Sequence, residues 1–476
     1  MLPMTIDVTV TLMSGKTASL TTSMDTSVEE LKLQAQMLLQ VGSGVLRTAS
    51  GESLMGNATV RQLGLQAGEV LTLQIRPVQI AATSSAFATC RGDGSAVSWS
   101  GSYPDTFRLL CQRVSHIQAS QGAFAAILET GNVFTWGDPA YGGDSSSVQN
   151  QLRHVREIQA SQAAFAAILE DGAVVTWGPS HRGGDSSSVQ GQLRNVREIQ
   201  SCRSAFAAIL SDGSVVTWGE PTCGGDCGSV SSRLRNVRQI QSSFCAFAAI
   251  LDDRSVVTWG LSSTGGNSAC VSEQLQNVQN VQANRSAFAA IREDGSVVTW
   301  GDAACGGDSG SVQQHLVRVC EIQASMAAFV AILENGSVVA WGHPSSGSVI
   351  DHVQEQLRDV KQIQASENAF AALLADGSVV TWGLKPYGGD SAGVQHRLRN
   401  VQQIQASGNA FAALRDDGSL VLWGGAVAWD VDEFTSTAPV QQIQASGESF
   451  AAVSADGVIL SWVWRNGCMS PWRVCR

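Results

Sequence analysis

Eleven cysteines, seven histidines and a recurrent aspartate are the side chains of this 476-residue chain best equipped for chemistry. Asp144, Asp185, Asp226, Asp308 and Asp390 each follow a Gly-Gly pair and could together form a ring of carboxylates for a divalent cation. The Gly-Gly-x-Gly-x-Asp pattern of calcium-binding repeats is missing, so turn-capping is the expected role. Cys223 and Cys227 make a C-x-x-x-C pair on a loop, whereas a structural zinc takes four ligands. The remaining candidates for that site, Cys202 and Cys245, lie in adjacent repeats. The histidines show no metal spacing, and no nucleophile stands in a motif with a base. These residues imply no metal, no cofactor and no catalytic centre.

What must position them is a repeat of about 41 residues. Its copies end at Trp99, Trp136, Trp177, Trp218, Trp259, Trp300, Trp341, Trp382, Trp423 and Trp462, and the six steps from Trp136 to Trp382 are 41 residues each. A phenylalanine stands twelve residues before each tryptophan, from Phe87 to Phe450. A fixed period of this size means stacked supersecondary units, none of which buries its apolar face alone.

Within one copy, VREIQS supplies Val196 and Ile199. AFAAIL, beginning at Ala205, is a short continuous apolar run suited to a strand buried on both faces. Asp212-Gly213 follows, a hairpin signal because glycine accepts positive φ. SVVTWG is β-branched and ends in an aromatic ring. Each copy therefore predicts three antiparallel strands. The remainder, such as Gly142 to Leu152, reads as a turn followed by one or two helical turns, with a fourth outer strand as the alternative. Arg254 replaces the turn glycine in one copy and is expected to distort that turn. Small repeated sheets with alanine-rich strands fit a β-propeller, or an open stack of the same units.

Composition narrows the function. The chain is 44% hydrophobic, ample for a large core, and carries a net charge of −11. Residues 1–76 hold five Lys/Arg and six Asp/Glu, leaving −10 in the repeats. That disfavours direct nucleic-acid binding, which needs a basic stripe, and points toward a basic protein partner. An odd number of irregularly spaced cysteines, no secretory leader and no apolar run long enough to span a bilayer imply a cytoplasmic or nuclear protein without a membrane partner.

The order V-x-x-I-Q-A, A-F-A-A-I-L, x-D-G, S-V-V-T-W-G, then Gly-Gly, resembles the regulator-of-chromosome-condensation repeat family over residues 78–463. That family's pattern runs V-V-x-V-A-x-G, H-T-x-A-L, x-D-G-x-V-Y-x-W-G and a Gly-rich loop. Its His-Thr pair is replaced here by Ala-Phe, as at Ala205 and Phe206, and the copies are shorter than typical eukaryotic ones. A second resemblance covers Met4 to Leu39 and Gly51 to Arg76, which look like ubiquitin, with Asp25 or Ser27 capping the helix. The terminal Gly-Gly needed for conjugation is missing, so residues 1–76 read as a built-in ubiquitin-like docking domain. The expected architecture is mainly β: a propeller-like array of ten three- to four-stranded repeats after a small α+β ubiquitin-like (β-grasp) domain. Residues 464–476 read as a C-terminal tail, too short for a HECT-type ligase domain, so Cys468 and Cys475 are poor thioester candidates.

Two segments of the repeat vary from copy to copy while the strands hold constant. One precedes the phenylalanine and the other follows Trp-Gly; antiparallel order puts both on one side. Their interface-type residues are Tyr141, Arg182, Arg203, Phe244, Arg285, Met326 and Tyr387, with unconstrained surface drift as the alternative. The resemblances imply a non-catalytic scaffold, an adaptor linking a client on the propeller face to a ubiquitin-pathway receptor. A guanine nucleotide exchange factor for a Ran-like GTPase, or an accessory part of a HECT-type ligase system, are the other readings they allow.

Overall fold

A computed structural model describes residues 5–12, 15–39, 44–54, 58–75, 79–84, 86–90, 94–100, 107–109, 113–425, 439–445, 447, 449–454, 459–465 and 468–474. The Arg76–Pro77 junction, the turn at Gly457 and Cys475 lie outside these residues.

The N-terminal unit comprises β1 (Thr5–Leu12), β2 (Thr17–Ser23), α1 (Val28–Leu39), β3 (Gly44–Arg47), β4 (Ser53–Leu54) and β5 (Val70–Ile75). They form one sheet in the order β2-β1-β5-β3-β4, in which β1 and β5 run parallel. Leu31, Ala35 and Leu39 of α1 join Val8, Val10, Leu71 and Leu73 of the sheet in one core. Ser27 is the cap: its hydroxyl accepts the Glu30 N–H at 3.2 Å, while the Glu30 carboxylate accepts the Ser27 N–H at 3.1 Å. This reciprocal box satisfies two helix-end donors at once.

Ten further sheets follow, the middle eight three-stranded and the first and last four-stranded. In one blade Val196–Ser201, Ala205–Leu210 and Val215–Gly219 pair antiparallel, with Phe206 opposite Trp218. The two rings stack with centroids 5.2 Å apart. The continuous apolar run of the middle strand is explained by its position. Ala164, Ala166 and Ile168 face the next blade, where they meet Phe206, Ala208, Ile199 and Trp218. Both faces of the middle strands are thus dry, and small residues face the joint, alanine in most blades and Val330 in one. Each buried Phe or Trp contributes roughly 1.5–3 kcal/mol.

Three hydrogen bonds recur at the joints. Trp218 donates its indole N–H to the Gly183 carbonyl of the preceding blade at 3.0 Å, and the same bond is made from Trp177, Trp259, Trp300, Trp341, Trp382 and Trp423. The Val237 N–H donates to the Gly213 carbonyl in the hairpin turn before it, a link repeated along the array. A third, between loop backbones, lies on the variable side and is described with the site.

The array returns on itself. Phe87 and Val97 of the first blade are buried in one cluster with Ala451 and Val453 of the last, at the positions that meet in every internal joint. Each blade remains a separate sheet, and among the described residues this side-chain packing joins the last blade to the first.

Among the described residues the middle blades carry no fourth strand. They carry instead single 3-10 turns, Pro139–Tyr141 and Gln149–Gln151 in the second blade, tighter than the helical turns expected. The intervening loop is tied to the strand edge by side chains: the Ser145 hydroxyl contacts Thr135 at 2.9 Å, and Gln149 donates to the Val133 carbonyl at 2.8 Å. This covers an edge that would otherwise invite pairing. The segment Cys468–Val474, within the stretch read as a tail, pairs with Ile459–Arg465 as the fourth strand of the last blade.

Arg254 does not distort its turn. It adopts φ +65°, its N–H donates to Leu251 at 2.9 Å, and its carbonyl accepts from Val278 at 2.9 Å. Its guanidinium also pairs with Glu293. A left-handed non-glycine residue costs about 1–2 kcal/mol, and these bonds hold it in place.

Gly183 combines φ +90° with close approach, since a Cβ there would lie 2.6 Å from the Phe206 ring. Gly183→Ala is expected to cost about 2 kcal/mol in urea unfolding. Gly191→Ala, where a Cβ would meet nothing within 4 Å, is expected to leave the midpoint unchanged.

The turn aspartates Asp212, Asp253, Asp294, Asp376 and Asp417 are held below 3.8 by the hydroxyl, and then the N–H, of the serine two residues on. Depressed carboxyls stabilise the fold above 3.8, and that contribution is lost as pH falls through their folded values. The thermal midpoint should therefore be flat above about pH 5 and drop below about pH 4; a midpoint unchanged under acid would contradict this.

Candidate protein-binding face

The strand order brings both variable segments to one side, and hydrogen bonds hold them there. Ser161 donates to the carbonyl of Arg182 at 2.8 Å, as Ser120 does to Tyr141 and Ser366 to Tyr387. The seven sequence-predicted residues divide into two groups on this face. Tyr141, Arg182 and Tyr387 lie on the outer 3-10 turns, where the two tyrosines are half-buried against the blade. Arg203, Phe244, Arg285 and Met326 occupy one equivalent position in four consecutive blades.

That position forms an inner ring. The N–H of Ser84 donates to the Gln121 carbonyl, Gln121 to Gln162, and so on through Arg203, Phe244, Arg285, Met326, Glu367 and Gly408 to Gly447, each bond 2.8 to 3.3 Å. Nine such bonds link all ten blades. The backbone is therefore uniform, and only the side chain differs from blade to blade.

Arg203 and Arg285 lie over the Phe244 ring, their guanidinium carbons 4.7 and 4.5 Å from its centroid. Arg203 also donates to the Gln162 side-chain oxygen at 3.0 Å, and Arg182 donates to the same oxygen and to Ser204. None of these three arginines has a carboxylate partner among the described residues. Gln162 and Glu367 are ring members that the choice of interface types overlooked. Their place in the variable segment, one period from Arg203 and Met326, was the available signal.

Beside this group lies a cavity of about 630 Å³. Its rim carries Phe244, Arg285, Met326 and Glu367, and its wall is made of small residues such as Ala365 and Ala406. The ring side chain vanishes at Gly408 and Gly447, and open space lies beside Gly447.

The recurrent aspartates are turn caps. Asp144 accepts from the Ser146 N–H, Asp185 from Ser187, Asp226 from Gly228, Asp308 from Gly310 and Asp390 from Ala392, at 2.7 to 2.9 Å. Among the described residues no group of three His, Cys, Asp or Glu is placed to hold a metal. Cys202, Cys223, Cys227 and Cys245 do meet in one buried cluster across two blades. Cys223 and Cys245 are joined as a disulfide, at the joint position where Arg182 bonds Ser204 one blade earlier. Burial pushes the Cys202 thiol up, keeping it protonated.

No protein-family model and no curated protein matches the sequence. Among solved structures the chain is similar to the computationally designed Ika8 protein, at 14% identity, covering 74% of this chain and 96% of that one, with a TM-score of 0.34. It is also similar to human WBSCR16, at 14% identity, 81% and 89% coverage and 0.33. Yeast RCC1 (Prp20), solved with Kap60 bound, shares 17% identity, with 50% and 72% coverage and 0.31. At these values the likeness is one of fold alone.

A double-mutant cycle of Arg203→Ala and Phe244→Ala, read by thermal unfolding, should give a coupling of about 0.5–1 kcal/mol. A coupling of zero would mean the stack does not persist in solution.

Proposed function

We propose that the chain is a non-catalytic protein-interaction scaffold. The ring holds a client on its variable face, and residues 1–76 dock to a receptor of the ubiquitin pathway. The observation that carries the first half is the contrast between an invariant backbone ring and the seven residue types found at its ten positions. A scaffold of this kind presents loops without moving them, the usual arrangement for recognition. The second half is supported by the sheet order β2-β1-β5-β3-β4 and the capped helix after the first hairpin, the arrangement expected of a ubiquitin-like unit. Two binding modules on one chain raise the effective concentration of whatever they bring together. No helix among the described residues is long and apolar enough to cross a membrane, and the cytoplasm or nucleus is the proposed setting.

Affinity capture from cell extract tests both halves. The full chain should retain ubiquitin-pathway proteins and a client, and deletion of residues 1–76 should remove only the former. Nucleotide release from a Ran-like GTPase should proceed at its intrinsic rate with the chain present. Acceleration would favour the exchange-factor reading, and a capture profile indifferent to the deletion would remove the adaptor half.

A further inference from the structure

We propose that the mouth between Arg203 and Gly447 is a docking subsite for an acidic segment of the partner protein, one that carries a carboxylate beside a large apolar side chain. This deepens the scaffold reading and rests on it.

The charge argument comes first. Arg203 and Arg285 are exposed, lack carboxylate partners among the described residues, and are pre-positioned by the ring of Phe244 between them. Arg285 is also within 4.0 Å of the Met326 sulfur. A guanidinium stacked on an aromatic ring keeps its hydrogen-bonding edge free, and that edge fits a carboxylate in two-pronged fashion. Arg182, two blades from Phe244, adds a third positive charge on the same side.

The cavity supplies the apolar half. It is a depression of about 630 Å³ open to solvent, and beyond its rim residues its lining is alanine, serine and glycine. Its entrance is open at Gly447, where a Cβ would meet nothing within 4 Å, whereas a Cβ at Gly408 would lie 2.5 Å from the Gly447 carbonyl. An aromatic or leucine side chain entering there would pass between Met326 and the small wall residues. Glu367 on the far rim repels a second carboxylate, so it orients the segment with its acid toward Arg203 and Arg285. The sequence expectation of a basic partner followed from net charge, and this sector carries the opposite sign. Single-stranded nucleic acid could also stack on Phe244. It needs a continuous basic track, however, whereas here the arginines occupy one sector of a ring whose blades sum to −10.

The test is selection of a random displayed peptide library on the full chain, followed by fluorescence anisotropy of the recovered peptides and of labelled oligo-dT. Recovered sequences should place Asp or Glu next to Trp, Phe or Leu. Their affinity should fall about tenfold or more in Arg203→Glu and Arg285→Glu, and weaken with salt. Gly447→Trp, which fills the mouth, should abolish binding while circular dichroism and melting stay unchanged. Arg194→Glu, at the end of the blade away from this face, should bind as the parent does. Neutral or basic peptides that still lose binding in Gly447→Trp would overturn the acidic subsite and leave the scaffold reading standing. Peptides indifferent to every substitution on this face would count against both. Failure to recover any peptide, or tighter binding of oligo-dT, would overturn the subsite.

Discussion

One indole N–H, repeated in seven of the blades, fixes how the ring is built. Trp218 reaches out of its own sheet to the Gly183 carbonyl, while Phe206 lies stacked against Trp218 and directly beneath that glycine. Three demands meet at Gly183: positive φ, the absence of a side chain, and a carbonyl aimed at the neighbour. Each is satisfied by glycine and relaxed by no other residue. Because the donor, the stacked ring and the acceptor sit at fixed offsets, the period holds at 41 residues from Trp136 to Trp423, each step ending on a tryptophan that makes the bond, and shortens to 37 and 39 at the two ends. A copy one residue longer between Gly183 and Phe206 would lose the bond and the contact together.

The same joint explains why the variable face can vary. The strands and Gly-Gly loops carry the packing, so the residue preceding each middle strand is left with only a backbone duty, passing one hydrogen bond to the next blade. Its side chain takes no part in the packing of the strands, and touches its neighbours in the ring, as Arg203 does Gln162 and Phe244. That is why glutamine, arginine, phenylalanine, methionine, glutamate and glycine all occur at one position of an otherwise monotonous array. Sequence variety is thus concentrated at one residue per blade, on a frame whose spacing the joints set.

Much of this was legible in the residues. Strand identity, the hairpin turns and the shared side of the two variable segments follow from periodicity, from Asp-Gly and from antiparallel order, and AFAAIL read correctly as a strand buried twice. Closure was not legible. Phe87 and Ala451 are of the same types as their counterparts in every internal joint, so the sequence says only that each needs a neighbour. Whether the tenth blade supplies it depends on a small inter-blade angle summed ten times, which no single residue encodes. The Cys223–Cys245 pairing was hidden for a related reason, because its partners belong to different repeats and meet only across a joint. Arg254 misled because propensity at one turn was weighed without the bonds that the next blade makes to it. The placement of Phe244 between two arginines needed the ring, since residues 41 apart become neighbours only through it.

Charge illustrates the same limit from another side. Much of the negative charge of the repeats belongs to aspartates occupied with backbone: Asp144 and its equivalents cap the outer loops, and Asp212 and its equivalents cap the hairpin turns. They recur because the fold uses them, and those at the hairpins lie at the end of each blade away from the variable loops. The arginines at the mouth serve no such turn. A formal count adds both kinds of charge as if they were interchangeable, but screening over about 8–10 Å makes a partner respond to what lies within a side chain's length of it. At the mouth the local balance is set by Arg203 and Arg285 against Asp302, which shares the Cys305 thiol with Arg285, and not by the total of the chain.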